Sequence, residues 1–498
     1  MCGIAGSYRA RSPEAVRKMI DRLRHRGPDG TGQAETPAGA LGHTRLAILD
    51  VASGQQPIRF HRHWISYNGE VYNHQELRRR YLADQPMRTG TDTEVVLRLY
   101  ALMGPRCVEW LDGMFAFAIQ GDDGLFLARD PLGIKPLYIG VRGATLFFAS
   151  EIKALSQVTD DIHEFPAGCW YHTRSGMVRY YTVGKEGAPP DTTGSLEEAP
   201  PAIRNAMQDA VHKQLMSDVP LGVSLSGGLD SSIIALLARE ALDRLDTFAV
   251  GMEGSSDLAA AREVAAFLGT QHHEYQYTQK DIEAALPDVL YYLESFDPAL
   301  VRSAIPNYFL SRLASEHVKV ILTGEGADEL YAGYAYMRSF TDPDALQTEL
   351  LDVTAALHNT NLQRGDRMSM AHGLEARPPF LDVSAVALAF RLPAAWKVQT
   401  DDRPEKALLR HAFADSLPPN IVNRRKQKFS KGAGSSETIA HLADDTIDDA
   451  ELDVERERLK RRWNYHLPNK EALYYYRILQ RFYRDEWILP NMGQSRSL

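Results

Sequence analysis

Met1-Cys2-Gly3-Ile4-Ala5-Gly6 opens the chain and puts a thiol directly behind the initiator methionine. Removal of Met1 would leave thiol and free α-amine on one residue. A thiol attacks an amide as thiolate, and a free cysteine has a pKa of about 8.5, an α-amine about 7.7–8.0. The amine is therefore partly neutral near pH 7 and can take the thiol proton, directly or through water. A covalent thioester then splits amide hydrolysis into two easier steps. Only a mature N-terminus supplies that amine, so position 2 is required.

Working outward, the first 182 residues carry short strand patterns such as Gly113-Met114-Phe115-Ala116-Phe117-Ala118-Ile119, Leu125-Phe126-Leu127-Ala128 and Leu146-Phe147-Phe148-Ala149. Turn residues separate them, as in Gly121-Asp122-Asp123-Gly124, which predicts packed antiparallel sheets. Residues 13–24 and 92–104 show helical spacing of apolar positions. From Gly184 to Ser195 little can be buried, and the stretch reads as a linker. Beyond it, strands at 219–225, 247–251, 272–277 and 319–323 alternate with helices at 230–241 and 258–268. That order implies a parallel sheet covered by helices. From about 345 the chain reads as mostly helical. Leu473, Tyr476, Leu479 and Phe482 fall at helical spacing and read as core or docking residues, and 455–462 as a solvated helix face.

At 498 residues the chain exceeds one ordinary core, so two or three domains are expected. Hydrophobic content of 44% and charged content of 24% are those of a globular protein. The net charge of -9 argues against a nucleic-acid-binding surface. Three widely spaced cysteines make neither a disulfide framework nor a zinc pattern and fit a reducing compartment. His272-His273 reads as strand edge. No apolar run approaches about 18 residues and no apolar signal region opens the chain. A cytoplasmic location, with no membrane or nucleic-acid partner, is the expectation; a homodimer is compatible with it.

Four further stretches in the first half carry polar groups suited to an amino acid. Arg45 can fork to an α-carboxylate. Asn68 and Gly69, in Tyr67-Asn68-Gly69-Glu70, supply an amide and a backbone N–H for a tetrahedral oxyanion. Thr89-Gly90-Thr91-Asp92 offers a carboxylate for an α-ammonium group. His25-Arg26-Gly27-Pro28-Asp29-Gly30 looks like a structured turn. In the second half, Ser226-Gly227-Gly228-Leu229-Asp230-Ser231-Ser232 follows a strand and opens a helix. Its glycines let N–H groups approach phosphate oxygens, and the helix N-terminus favours anions. Asp230 has the wrong charge for phosphate, which calls for Mg2+ between them. There is no Gly-x-x-x-x-Gly-Lys-Ser/Thr, which argues against a P-loop kinase or GTPase.

Met1–Gly6, Arg26-Gly27-Pro28-Asp29, Tyr67-Asn68-Gly69-Glu70, Thr89-Gly90-Thr91-Asp92, Gly113–Phe117 and Arg129–Tyr138 together resemble the class II glutamine amidotransferase domain. The resemblance implies an N-terminal-nucleophile fold, a four-layer αββα sandwich, over residues 1–190. It implies Cys2 as nucleophile, Asn68 and Gly69 as oxyanion hole, and Arg45, Glu70 and Asp92 as glutamine-binding residues, with the backbone of Ile48 and Leu49 lining the pocket. The serine–glycine loop resembles the pyrophosphatase loop of enzymes that split ATP between the α and β phosphates. Thr323-Gly324-Glu325-Gly326-Ala327-Asp328-Glu329, Asn361–Met370 and Gly373–Asp382 resemble the asparagine synthetase domain, here 200–498. The resemblance is thus to the glutamine-hydrolysing asparagine synthetase family: α+β joined to a parallel α/β domain with a helical C-terminal part.

That resemblance implies ATP and Mg2+ as cofactors. Ser224, Leu225, Ser226, Gly227, Gly228, Ser231, Val250, Thr323 and Gly324 would hold the nucleotide. Asp230 and Asp328 would hold Mg2+ and pyrophosphate, and Glu325 would support the acyl-adenylate. Lys426, in the basic run Arg424-Arg425-Lys426-Gln427-Lys428, would meet the phosphates, with Lys428 the second candidate. Arg302 would pair with the acceptor's α-carboxylate. The implied reaction is amidation of aspartate through β-aspartyl-AMP with nitrogen from glutamine. Two threonines of close bacterial relatives are replaced here by Ala299 and Leu300, which keeps a related acid open as acceptor. An intact Cys2 speaks against a β-lactam-forming relative. The acidic balance speaks against an RNA-modifying protein on the same ATP loop, and retention of Cys2, Asp230, Glu325 and Asp328 against a non-catalytic scaffold.

Overall fold

The computed structural model describes residues 2–185, 195–425, 433, 443–483 and 486–493. Twelve strands precede residue 180: β1 (Cys2–Tyr8), β2 (Gly30–Thr36), β3 (Gly39–Arg45), β4 (Ile58–Phe60), β5 (His63–Val71), β6 (Gly113–Gly121), β7 (Gly124–Arg129), β8 (Tyr138–Arg142), β9 (Thr145–Ala149), β10 (Asp161–Glu164), β11 (Cys169–His172) and β12 (Gly176–Arg179). They form two antiparallel six-stranded sheets, ordered β10-β8-β9-β1-β3-β2 and β12-β11-β7-β6-β5-β4.

Side-chain alternation explains the layering. Along β6, Phe115, Phe117 and Ile119 share a cluster with Val95, Val96 and Leu99 of the helix Asp92–Met103. Ala116 and Ala118, between them, join Ile4, Leu41 and Phe148 of the other sheet. Strand β7 does the same: Leu125 and Leu127 face the sheet–sheet layer, Phe126 and Ala128 the helices. A period of two thus assigns one face to each layer. The helix Pro13–Leu23 covers the first sheet with Val16, Met19, Ile20 and Leu23. The result is the expected αββα sandwich.

Five parallel strands follow: β13 (Leu221–Ser224), β14 (Asp246–Gly251), β15 (Gln271–Gln276), β16 (Val320–Leu322) and β17 (Glu375–Arg377). Their order is β15-β14-β13-β16-β17. The chain runs outward from β13 through β14 to β15, then returns to place β16 on the other side of β13. The order therefore reverses at β13 and β16, and such switch points gather ligands at the strands' carboxyl ends. Ser226–Ser232 and Thr323–Glu329 leave those two ends. Helices Leu229–Ala241 and Ser256–Leu268 are the crossovers. His272 and His273 lie on the edge strand β15, where they meet Glu274 and Asp246. The strand β17 interrupts a region expected to be mostly helical. Of the four residues at helical spacing near the end, Leu473, Tyr476 and Leu479 are buried, whereas Phe482 is 42% exposed. Of the linker reading, residues 186–194 lie outside the described residues. Among the described residues no helix is long and apolar enough to cross a membrane.

The two halves meet through buried charge. Arg26 bonds Glu151 at 2.7 Å and Asp366 at 2.7 and 3.1 Å. Arg367 bonds Glu294 at 2.9 Å and lies 3.3 Å from Glu151. Lys153 bridges Glu151 and Glu294 at 2.6 and 3.1 Å. Burial alone would push the Glu151 carboxyl up, but Lys153, His25, Arg367 and Arg26 outweigh it and hold it well below the usual range. Removing one cation from such a cluster leaves buried carboxylates short of partners and costs about 3–5 kcal/mol. Arg367→Met is therefore expected to lower the thermal unfolding midpoint. Because the folded Glu151 group titrates low, its contribution is full above its ordinary value of 4.5 and is lost as pH falls through the depressed value. The gap between wild type and variant, followed by calorimetry, should narrow below that pH.

Candidate functional site

Cys2 starts β1, which lies between β3 and β9. Its register partner is Arg45, and the residue is only 7% exposed. Burial pushes the thiol up, and the Glu70 and Glu375 carboxylates add to the shift. The Cys2 N–H donates to Asn68 Oδ1 at 2.9 Å. That bond fixes which way the amide points, so Nδ2 is the free end, and it has no hydrogen-bond partner among the described residues. A buried, unpaired N–H beside a nucleophile is what an oxyanion would satisfy. Next to it, Gly69 has φ +155°, and a Cβ there would lie 2.1 Å from the Met114 carbonyl oxygen. Only glycine lets β5 approach β6 so closely while its sequence neighbours Asn68 and Glu70 share the opposite face of the strand.

Glu70 and Asp92 are buried at the same end of the sheet. Asp92 accepts from the Val71 N–H at 2.9 Å, and Thr91 caps its helix. Burial pushes both carboxyls up, Glu70 strongly, with Glu375 and Asp92 adding to the latter. Arg45 donates to the carbonyls of Val51 at 3.0 Å, Leu49 at 3.4 Å and Asp50 at 2.7 Å. The 49–51 loop is thereby folded around the guanidinium. The Ile48 side chain joins the core of the second half, and its carbonyl accepts from the Asp218 N–H at 3.1 Å.

At the switch point lies a cavity of about 180 Å3. Ser224, Ser226, Gly228, Asp230 and Ser231 line it from one loop, and Thr323, Gly324, Glu325 and Asp328 from the other. Gly227 is not in the lining. It has φ +67°, and a Cβ would meet Ala260 and Ala261 of the neighbouring helix at 2.4–2.5 Å. Its part is to let the loop lie against that helix. Leu225 and Val250 are buried behind the lining; the Leu225 N–H donates to the Phe248 carbonyl at 2.8 Å. Arg302 is not in the lining either. Its guanidinium forks onto the Glu471 carboxylate, at 2.9 Å through Nε. Lys426, with Lys428, lies outside the described residues.

The structure adds residues that the sequence reading missed. Lys406 Nζ sits 2.5 Å from Asp230 and 2.6 Å from Asp328. Arg364 pairs with Glu325. Arg424 donates to the Ser226 carbonyl at 3.3 Å and to Asp257 at 2.8 Å. Behind these, Glu329 bonds Tyr334 and Asn361, and burial beside Asp328 and Glu325 pushes it up to about 7. Lys406 lies in a polar stretch with no local signal, and Arg424 belongs to the basic run in which the resemblance points to Lys426 instead. Ile134 and Lys135 of the first half, and Ala376 of β17, line the same cavity.

Fold and site define a nucleotide-dependent synthetase fused to an amidotransferase of N-terminal-nucleophile architecture. The family described as glutamine amidotransferase domain matches residues 1–182, and that described as asparagine synthase matches 202–345 and 338–488. The chain is 37% identical to asparagine synthetase B [glutamine-hydrolyzing] of Escherichia coli (strain K12), covering 99% of this chain and 93% of that one. It is 38% identical to the Asparagus officinalis asparagine synthetase (94% and 82%) and 39% to asparagine synthetase 2 of Arabidopsis thaliana (94% and 84%). The chain belongs to the glutamine-hydrolysing asparagine synthetase family of ATP-dependent ligases.

Gly227→Ala would force both a strained φ and a clash with backbone of the Ser256–Leu268 helix. Such strain costs about 1–3 kcal/mol. The variant is expected to melt earlier and to show a raised KM for ATP with glutaminase activity intact; thermal unfolding and ATP titration of the initial rate check it.

Proposed function

We propose that the chain makes asparagine from aspartate, glutamine and ATP, with residues 1–190 acting as glutaminase and 200–498 as synthetase in the cytoplasm. The observation that carries this reading is the shared cavity: Ile134 and Lys135 of the half bearing Cys2 line the same space as the serine–glycine loop and Glu325.

In the first half, the α-amine exposed by loss of Met1 takes the Cys2 proton, and sulfur attacks the glutamine side-chain amide. The oxyanion forms where Asn68 Nδ2 and the Gly69 N–H can donate. Its collapse expels ammonia, and water later cleaves the thioester. Glu70 and Asp92 receive the substrate's ammonium group, and Arg45, with the Ile48–Leu49 backbone, its carboxylate end. Free ammonia is mostly protonated at pH 7, so a passage toward the second cavity keeps it reactive.

In the second half, a carboxylate oxygen attacks the α-phosphorus of ATP and pyrophosphate leaves, turning a poor electrophile into a good one. Ser226, Gly228 and Ser231 cradle phosphate oxygens. Asp230 and Asp328 already share one cation, the Lys406 ammonium. That pairing supports their suitability for Mg2+, which when bound would neutralise phosphate charge. Arg364 holds Glu325 beside the acyl-adenylate. Lys406 and Lys426 supply positive charge to the leaving pyrophosphate. Ammonia then displaces AMP. A related acid stays in view as acceptor because Ala299 and Leu300 offer no hydroxyls and Arg302 is paired to Glu471. Mass-scored products from glutamine, ATP and a panel of acids separate the two: aspartyl product alone supports asparagine synthesis, and an amide of another acid overturns it.

Cys2→Ala is expected to abolish glutamine use while leaving synthesis from added ammonia, measured as asparagine formed from each donor. Lys406→Ala is expected to slow aspartate-dependent ATP–pyrophosphate exchange by roughly 10²–10³-fold, in line with removal of one charge-stabilising donor. Glutaminase measured without ATP should stay at the wild-type rate.

A further inference from the structure

Strand β17 has two unlike faces. Ala376 lines the nucleotide cavity, and the Lys135 ammonium donates to its carbonyl at 3.4 Å. Its neighbours Glu375 and Arg377, one residue either side, point by strand alternation to the opposite face. There Arg377 Nη2 lies 3.8 Å from Glu70 Oε1. The rest of the Arg377 side chain is pinned: Nε to Glu375 at 2.6 Å, and Nη1 to the carbonyls of Gln214 and Met216 at 2.5 and 2.7 Å. Nη2 has no hydrogen-bond partner among the described residues, and neither has Glu70 Oε2. Both side chains are buried. A guanidinium held by three partners thus presents its one unpaired nitrogen to the carboxylate of a residue in the other half of the chain.

We propose that Arg377 is a positioning residue for glutamine recognition, orienting the Glu70 carboxylate from the synthetase side so that glutamine affinity depends on strand β17. The inference rests on the reading of Glu70 as a glutamine-binding residue. The charges around Glu70 explain why a cation is needed there. Asp92, Glu375, Tyr67, Tyr72 and Cys2 surround it. Two of these are carboxylates, and burial already favours the neutral acid. A neutral Glu70 would not attract an ammonium group. Among the described side chains near it, Arg377 is the opposing cation. An opposite charge within 4–6 Å typically moves a carboxyl by about 1–3 units.

The test is glutaminase kinetics without ATP, across pH, for wild type, Arg377→Gln, Arg377→Lys and Glu70→Gln. Arg377→Gln is expected to raise KM for glutamine about tenfold or more at pH 7 with kcat little changed. The acid limb of kcat/KM should move up by about 1–3 pH units, since Glu70 then protonates at higher pH. Arg377→Lys should restore the limb. Synthesis from added ammonia in Arg377→Gln should keep its pH profile, which shows that the fold is intact. If Glu70→Gln raises KM but Arg377→Gln keeps the wild-type KM and limb, the inference on Arg377 fails alone. If Glu70→Gln leaves KM unchanged, the reading of Glu70 fails with it. Loss of ammonia-dependent synthesis in both Arg377 variants would mark a structural clamp and overturn the proposal.

Discussion

Arg26 is where the two halves of the chain are held to one geometry. Its Nε donates to the Cys2 carbonyl at 3.1 Å, and its other nitrogens reach Glu151 and Asp366. A guanidinium with no solvent exposure must satisfy its donors inside the protein. Here that requirement is met by the nucleophile's own backbone on one side and, on the other, by a carboxylate on the helix Asn361–Met370 that lines the nucleotide cavity. Strand β1 cannot shift relative to the synthetase without unpairing a buried charge. Such pairs add little net stability over apolar packing, but breaking them is costly. Their effect is to fix one relative placement of two reactive centres.

The second cavity shows the same economy of charge. Lys406 lies between Asp230 and Asp328, and Arg364 on Glu325. Each carboxylate proposed to meet a cation or an activated acyl group already holds a basic side chain. Binding of substrate would therefore exchange partners rather than bury naked charge, which limits the desolvation penalty at each step.

Much of this architecture is legible in the sequence because it rests on local periodicity. Phe115 to Ile119 and Leu125 to Ala128 announce two-faced strands, and the strand–loop–helix setting of Ser226–Ser232 places the second site. What is not legible depends on contacts between distant segments. Glu375-Ala376-Arg377 is only three residues long and doubly charged; it becomes a strand because β16 supplies its ladder partner and Gln214 and Met216 accept from Arg377. Lys406 becomes part of the site only because the chain returns to the switch point after the sheet is complete. The motif of Gly227 suggests phosphate contact, and the structure adds a second demand on the same residue, the close approach of Ala260. Arg302, which the resemblance implies as partner of the acceptor, meets Glu471 from a helix 169 residues away.

One hydrophobic cluster contains Val16, Ile20 and Phe147 of the sandwich together with Leu293, Phe309, Tyr476 and Leu489 of the synthetase. Leu46 and Ile48 likewise belong to the core around Ile233 and Leu322. The boundary between the halves is thus drawn along the polypeptide and not through the interior. Heat absorption should follow a single cooperative unit, and genetic separation into two independently expressed pieces would expose greasy faces on each that only co-assembly could cover.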